Sequence, residues 1–187
     1  VSLASPALAP KVLVPLAPGF EELEVVAPVD VLRRAGAEVT LATLDSTLAV
    51  RGRNGLTLVA DTRWDALGEG AYDCLLLPGG PAVALLRRHA GLLARVRAQD
   101  AAGGWLAAIC AAPTVVQDAG VLGGRRHTAH PSVAGELPRA ELGEAVLVDG
   151  RLITSRGAGT ALAFGLEVVA RVVSPAQAAA VRTAIAA

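Results

Sequence analysis

A thiol placed where a strand ends and a helix begins is the feature of this chain with the clearest chemical potential. The segment Trp105-Leu-Ala-Ala-Ile-Cys110-Ala-Ala-Pro-Thr114 runs from an apolar strand pattern into a helix start, with Cys110 at the junction. A nucleophile on such a turn is projected out of the sheet, sits where the helix start favours an anion, and has the next backbone N–H available as an oxyanion donor. Ala111 and Ala112 are small enough for the tight turn. An ordinary cysteine is only about 3% thiolate at pH 7, and a helix terminus or basic surroundings lower its pKa. The spacing therefore predicts a reactive thiol, set against the plainer reading of a buried structural cysteine. Cys74, in the middle of the apolar run Tyr-Asp-Cys-Leu-Leu-Leu, reads as core. The three histidines are scattered without a ligand spacing, which gives no support to a metal site. His89 and His127 read as surface or loop residues. A Walker-type phosphate loop and a dinucleotide fingerprint are both missing, so no cofactor is expected.

The elements that must position this thiol follow from alternating patterns. Lys11–Leu16 is an apolar run closed by Ala17-Pro18-Gly19, a turn signal. Phe20–Ala35 has helical spacing and ends at Gly36, with Pro28 inside predicting a kink or break. Glu38–Thr43 reads as a second strand. Asn54-Gly55 before Leu56–Ala60 reads as a hairpin turn. Tyr72–Leu77 is continuously apolar, as in a strand buried on both faces, and is closed by Pro78-Gly79-Gly80. Pro81–Ala101 reads as helix, Trp105–Ile109 as strand and Pro113–Ala119 as helix. Asp149-Gly150, between Ala145–Val148 and Leu152–Thr154, signals another hairpin. Thr160–Val172 and a last helix opened by Ser174-Pro175-Ala176-Gln177 complete the pattern. Strand and helix alternate throughout, which predicts an α/β layer sandwich with a mostly parallel sheet. In such sheets the active site lies at the carboxyl ends of the strands, where Cys110 falls.

Composition limits the remaining choices. The chain has 187 residues, which suits one domain over residues 11–187 after a loose, Pro-punctuated segment over residues 1–10. Hydrophobic residues make up 53% and charged residues 18%, against about 45–50% and about 25% in ordinary domains, which excludes a disordered chain. Seventeen basic and seventeen acidic residues cancel, so no overall field draws the chain to nucleic acid or an anionic membrane. No apolar run reaches the ~18 residues of a membrane helix. Two cysteines make no disulfide framework, and the first ten residues lack the basic start and apolar core of a signal peptide, so a reducing cytoplasm is the expected location.

Several segments together resemble the DJ-1/PfpI superfamily, and within it the branch holding DJ-1 and bacterial YajL. They are APGFEELEVVAPVDVLRRAG at 17–36, YDCLLLPGG at 72–80, AAICAAPT at 107–114, HTAHP at 127–131 and LITSRGAGTALAFGLEVV at 152–169. The resemblance runs in order from about Lys11 to the end of the chain. It implies a flavodoxin-like sandwich with helices on both faces of the sheet, usually as a homodimer whose contact falls on the first helix near Arg33 and Arg34. It also implies that Cys110 is the elbow cysteine, Glu24 the family's glutamate and His130 its histidine, with Gly80 and Ala111 supplying backbone N–H donors. Read without it, Glu24 is one of three acids at a helix start, and His130 is a loop histidine. A protonated Glu24 can hydrogen-bond a Cys110 thiolate, and His130 can shuttle protons. Three positions depart from the branch: Asn54 replaces an arginine expected to reach an anion, Ala158 replaces a proline, and Pro81 replaces an asparagine.

The resemblance points to chemistry on reactive carbonyls. The expected activity is a glutathione-independent glyoxalase or a deglycase of glycated side chains, with Cys110 as nucleophile and Glu24 and His130 moving protons. The alternative is a non-catalytic oxidative-stress sensor or holdase chaperone that uses the same cysteine. Ala111 stands where the PfpI protease branch has histidine, which argues against proteolysis.

Overall fold

The computed structural model describes residues 9–68 and 70–187. The loose segment expected over residues 1–10 therefore lies, for residues 1–8, outside the described residues.

Seven strands form the main sheet. They are β1 (Lys11–Leu16), β2 (Glu38–Thr43), β5 (Thr62–Arg63), β6 (Cys74–Leu77), β7 (Trp105–Ile109), β8 (Val146–Asp149) and β9 (Leu152–Ser155), in the order β5-β2-β1-β6-β7-β9-β8. Every neighbouring pair is parallel except the β8–β9 hairpin at the edge, whose turn is the Asp149-Gly150 pair. A separate two-stranded hairpin joins β3 (Ala49–Arg51) to β4 (Thr57–Val59) across Asn54-Gly55. The sheet is thus the mostly parallel one that the alternating pattern predicts.

Burial along β6 explains why its sequence is continuously apolar. Cys74, Leu75, Leu76 and Leu77 are each at most 1% exposed. Successive side chains on a strand point to opposite faces, so both faces of the sheet are covered at this position. One cover is the pair α1 (Glu22–Arg34) and α5 (Ala161–Val172), which pack on each other, with α6 (Pro175–Ala184) against α5. Another is α3 (Ala90–Ala101), which lies on β6 and β7 beside α4 (Pro113–Asp118).

Two helices differ from expectation. α1 runs on through Pro28 without a break. The proline costs the hydrogen bond its N–H would have given, but its ring lies in the crossing with α5, and burial there holds the helix together. The region 81–101 does break, into α2 (Val83–Leu86) and α3. His89 stands at the break in extended geometry, and its ring nitrogen accepts the Leu92 N–H at 3.0 Å, which caps α3.

The α1–α5 crossing depends on Gly165. A Cβ there would sit 2.7 Å from the Pro28 Cα and 2.8 Å from Val31 Cγ2. Overpacking of this kind costs about 1–3 kcal/mol, against a helix-propensity gain of about 1 kcal/mol for alanine over glycine. Gly165→Ala should therefore lower the urea midpoint, by roughly 1 kcal/mol in stability. An unchanged or raised midpoint would show that the helices separate freely here.

Candidate active site

The carboxyl ends of β1, β6, β7 and β9 meet around Cys110. The cysteine follows β7 directly and has φ of 64°, in the left-handed region that non-glycine residues rarely enter. Backbone bonds on both sides hold it there. Its N–H donates to the Ser155 carbonyl at 2.9 Å, and its carbonyl accepts the His130 N–H at 2.9 Å. Such a conformation costs about 1–3 kcal/mol and persists only where its surroundings fix it. Here the end of β9 and the His130 loop do so.

Glu24 comes from the first turn of α1 and is 1% exposed. Its Oε2 accepts the Gly79 N–H at 2.9 Å, and its own N–H donates to the Glu21 carboxylate at 2.9 Å. Oε1 is buried without a well-aligned partner, and the Cys110 thiol is the group that interacts with this carboxyl. Burial raises the Glu24 pKa to about 7; the Glu21 charge adds to the rise, while Cys110, the Gly79 N–H and the Arg53 charge oppose it.

The thiol itself is pushed up rather than down. Burial, then the charge and hydrogen bond of Glu24, raise Cys110 to about 12, and the N–H groups of Gly80 and Ala111 pull the other way. This corrects the expectation that the helix start would lower the thiol pKa. α4 has only six residues and begins with Pro113, which has no N–H to offer, so loss of water outweighs the helix. At rest the pair holds its proton on sulfur, next to a carboxyl poised to change charge near neutrality.

The structure thus brings together Cys110, Glu24 and the backbone N–H groups of Gly80 and Ala111. His130 lies beside them through its backbone bond to Cys110, with an exposed ring and no ring hydrogen bond to the cysteine among the described residues. Its Nδ1 is occupied by Ser132, accepting the N–H at 3.2 Å with Oγ at 2.8 Å, which leaves Nε2 as the N–H of the neutral ring. The ring lines an open cleft of about 410 Å3 with Arg156 and Gly157–Thr160.

Gly79 is the residue that sequence reasoning missed. A Cβ on it would sit 2.5 Å from Glu24 Oε2, 2.6 Å from Cys110 Cβ and 3.1 Å from Sγ. The Pro-Gly-Gly run signalled only a turn, and nothing local distinguishes the glycine that turns from the one that makes room. Gly80, at φ of 87°, is the turning one. Asn54 is also accounted for. Its N–H and side-chain amide bond the Glu22 carboxylate at 2.6 and 3.0 Å, fixing the β3–β4 hairpin to the start of α1. His127 lies in a loop, one of the two readings given for it, but is buried there, 2% exposed. Cys74 is buried as expected, and burial raises its pKa strongly.

The DJ-1/PfpI family model matches residues 10–171. The chain belongs to this family. It is 40% identical over 160 residues to Protein dj-1beta of Drosophila melanogaster, covering 83% of this chain and 86% of that protein. It is 33% identical over 158 residues to the glutathione-independent glyoxalase DJR-1.2 of Caenorhabditis elegans, covering 83% and 84%. The solved structure of oxidized DJ-1 from Toxoplasma gondii superposes with a TM-score of 0.90 at 35% identity, covering 95% of this chain and 98% of that one. Some relatives in the family are longer: the match to Protein DJ-1 homolog B of Arabidopsis thaliana, 40% identical, covers 86% of this chain but 37% of that protein. The flavodoxin-like fold implied by the sequence motifs is thus the fold observed. Among the described residues, no helix is long and apolar enough to cross a membrane, and no group of three or more His, Cys, Asp or Glu side chains could hold a metal ion.

Proposed function

We propose that this protein converts small 2-oxoaldehydes to 2-hydroxy acids without glutathione, with Cys110 as nucleophile, Glu24 as proton carrier and His130 assisting. The observation that carries the reading is the pairing of a strained, partly exposed thiol with a buried carboxyl whose pKa stands at about 7, at the site where two backbone N–H groups converge. The glyoxalase named among the relatives supports it.

With methylglyoxal, the Cys110 sulfur attacks the aldehyde carbon while the Glu24 carboxylate takes the thiol proton. Burial and the Glu24 charge disfavour a free thiolate, so proton transfer to Glu24 is coupled to C–S bond formation. Glu24 passes that proton on to the aldehyde oxygen, stabilised during attack by the N–H groups of Gly80 and Ala111, which gives the hydroxyl of a hemithioacetal and restores the carboxylate. Glu24 then removes the hydrogen from that carbon while His130 Nε2 gives its proton to the neighbouring ketone oxygen, which makes an enediol; Glu24 returns its proton to the neighbouring carbon as the first carbon's hydroxyl gives its own back to His130. The product is a thioester of lactate. Water cleaves it, releasing lactate and restoring the thiol. One carbon is oxidised and its neighbour reduced, so no external electron carrier is needed. A deglycase action on early adducts of protein side chains would begin with the same attack.

One feature supports a second reading. Cys74 is fully buried in β6, so Cys110 has no accessible partner for a disulfide among the described residues. Oxidised Cys110 would stop at sulfenic or sulfinic acid, as in a sensor. Turnover separates the two: a sensor consumes oxidant once per thiol, whereas the enzyme makes many lactates per site.

Association as a homodimer is part of the proposal. Leu23 and Val26 of α1 are 57% and 45% exposed, and Leu56 and Val59 of the adjoining hairpin are 60% and 69% exposed. Val29 and Val31 of the same helix are buried, so a charge there would disrupt packing rather than report on association. Leu23→Asp should instead convert a dimer to a monomer at micromolar concentration in light scattering. A wild-type monomer, or a variant that stays dimeric, would place the contact elsewhere.

A further inference from the structure

The cleft beside His130 offers donors and positive charge. It measures about 410 Å3, within the ~300–1,000 Å3 range of small-molecule sites, and is lined by His130, Pro131, Arg156 and Gly157–Thr160. Among the described residues it carries no acidic side chain. The end of β9 ties its wall to the thiol: Ser155 accepts the Cys110 N–H at 2.9 Å, and Arg156 is the next residue. A Cβ on Gly157 would stand 3.3 Å from His130 Cδ2, so the ring lies against the chain that carries Arg156.

Arg156 is half-buried and forms no ion pair among the described residues. Its Nη1 donates to the Leu142 and Gly143 carbonyls at 3.4 and 3.3 Å. Nε and Nη2 have no acceptor among the described residues, and neither is sealed from solvent. Ala158 brings a backbone N–H to the same wall, where a proline would have none. That N–H also has no acceptor among the described residues.

The reaction proposed above fixes which end of a substrate meets this cleft. Cys110 takes the aldehyde carbon and His130 Nε2 meets the ketone oxygen, so the substituent on the ketone carbon extends past His130 toward Arg156. In methylglyoxal that substituent is a methyl group, which leaves the cleft unfilled and the guanidinium unpaired.

We propose that the preferred substrates are 2-oxoaldehydes whose far end bears a carboxylate, held by Arg156 and the Ala158 N–H. A guanidinium fork is complemented by a carboxylate. With one cation in its lining, the cleft balances a carboxylate but leaves half the charge of a phosphate dianion unmet. The inference rests on the glyoxalase reading for its chemistry, though the anion site can be tested apart from it. For 4,5-dioxopentanoate the steps are unchanged. The aldehyde carbon is oxidised, the ketone carbon is reduced, one water is taken up, and the product is 2-hydroxypentanedioate.

The test compares kcat/KM for 4,5-dioxopentanoate with that for 2-oxopentanal, which has a methyl in place of the carboxylate. The 2-hydroxy acid is quantified in each case. Wild type should favour the anion by about tenfold or more, as expected for hydrogen bonds to a charged group. Arg156→Gln removes the charge while keeping an N–H for the Leu142 and Gly143 carbonyls. It should bring the ratio to about one, mainly through KM, because the tail is held alike in the ground and transition states. Equal kcat/KM values in wild type, or a preference that survives in folded Arg156→Gln, would overturn the proposal. Calorimetry on wild type gives a readout that needs neither the variant nor turnover. The probe 4-oxopentanoate keeps the ketone and carboxylate but has no aldehyde. It should bind saturably with millimolar affinity, at least about tenfold more tightly than pentan-2-one. Failure to bind would also overturn the proposal. Binding of 4-oxopentanoate without 2-hydroxy acid from any aldehyde would remove the glyoxalase reading and leave the anion site standing. Turnover without an anion preference would do the reverse.

Discussion

Glu24→Gln is expected to lower lactate formation from methylglyoxal by about 10^2–10^4-fold, the usual contribution of a positioned proton carrier. Glutamine preserves the shape and can still accept the Gly79 N–H, but it neither takes nor returns a proton. The variant therefore separates positioning from proton transfer. The pH profile gives a second readout. Glu24 must be a carboxylate to take the thiol proton, and its pKa is raised to about 7. Wild-type activity should thus rise with pH below about 7 and level off above it. Burial and the Glu24 charge push the Cys110 thiol well above neutrality, so the rise is assigned to Glu24. Glu24→Gln should remove the rise. The same group makes stability fall with pH: the folded state holds this proton to a higher pH than the unfolded chain. Its contribution is fully present below the ordinary carboxyl value of 4.5 and is lost as pH rises through about 7. Urea midpoints across that range should show a slope in wild type that weakens in Glu24→Gln. Near wild-type turnover in the variant would remove Glu24 from the mechanism.

Gly79→Ala should be nearly as damaging, for a steric reason. The added methyl would overlap both Glu24 Oε2 and Cys110 Cβ at 2.5 and 2.6 Å. Neither can yield easily: the carboxyl is tied to the Gly79 N–H, and the cysteine backbone is held by Ser155 and His130. The two reacting groups must move apart, and displacements near 1 Å cost about 10^2-fold in rate. A stability loss of about 1–3 kcal/mol should accompany it. Gly124→Ala is the control, since a Cβ there meets nothing within 4 Å and its φ is not in the left-handed region. Retained activity in Gly79→Ala would mean that Glu24 and Cys110 need not sit as the structure places them.

What the sequence revealed follows from which forces act locally. β1, β2 and β7 are delimited by runs of apolar residues and by turn chemistry on either side, and their observed limits match the pattern. The two hairpins were legible because Asn54-Gly55 and Asp149-Gly150 carry backbone preferences of their own. At Pro28 local propensity favours a kink or break, and no break forms because packing against Gly165 of α5, far along the chain, supports continuity. The break at His89 was missed for the opposite reason: apolar spacing continued, but the histidine ring supplied a cap. At the site, Cys110 was legible from the strand-to-helix junction alone. The N–H that follows it, on Ala111, was legible there too, whereas Glu24, Gly80 and His130 came from resemblance, since they reach the thiol from three separate parts of the chain. Gly79 and the upward shift of the thiol depend on contacts across the ends of three strands, which no single stretch of sequence contains. His127 looked like a loop residue because it is one, but its loop folds inward.

The most direct test is quantified lactate from methylglyoxal, without glutathione, for wild type and Cys110→Ser. Lactate itself must be measured, because methylglyoxal is also lost to simple adducts with thiols and amines. Many lactates per wild-type chain, with none above background for Cys110→Ser, is the expected outcome. Folded wild-type protein that yields no lactate beyond the Cys110→Ser background would contradict it. Peroxide titration of Cys110 with mass spectrometry would then be the route to its role as an oxidation sensor.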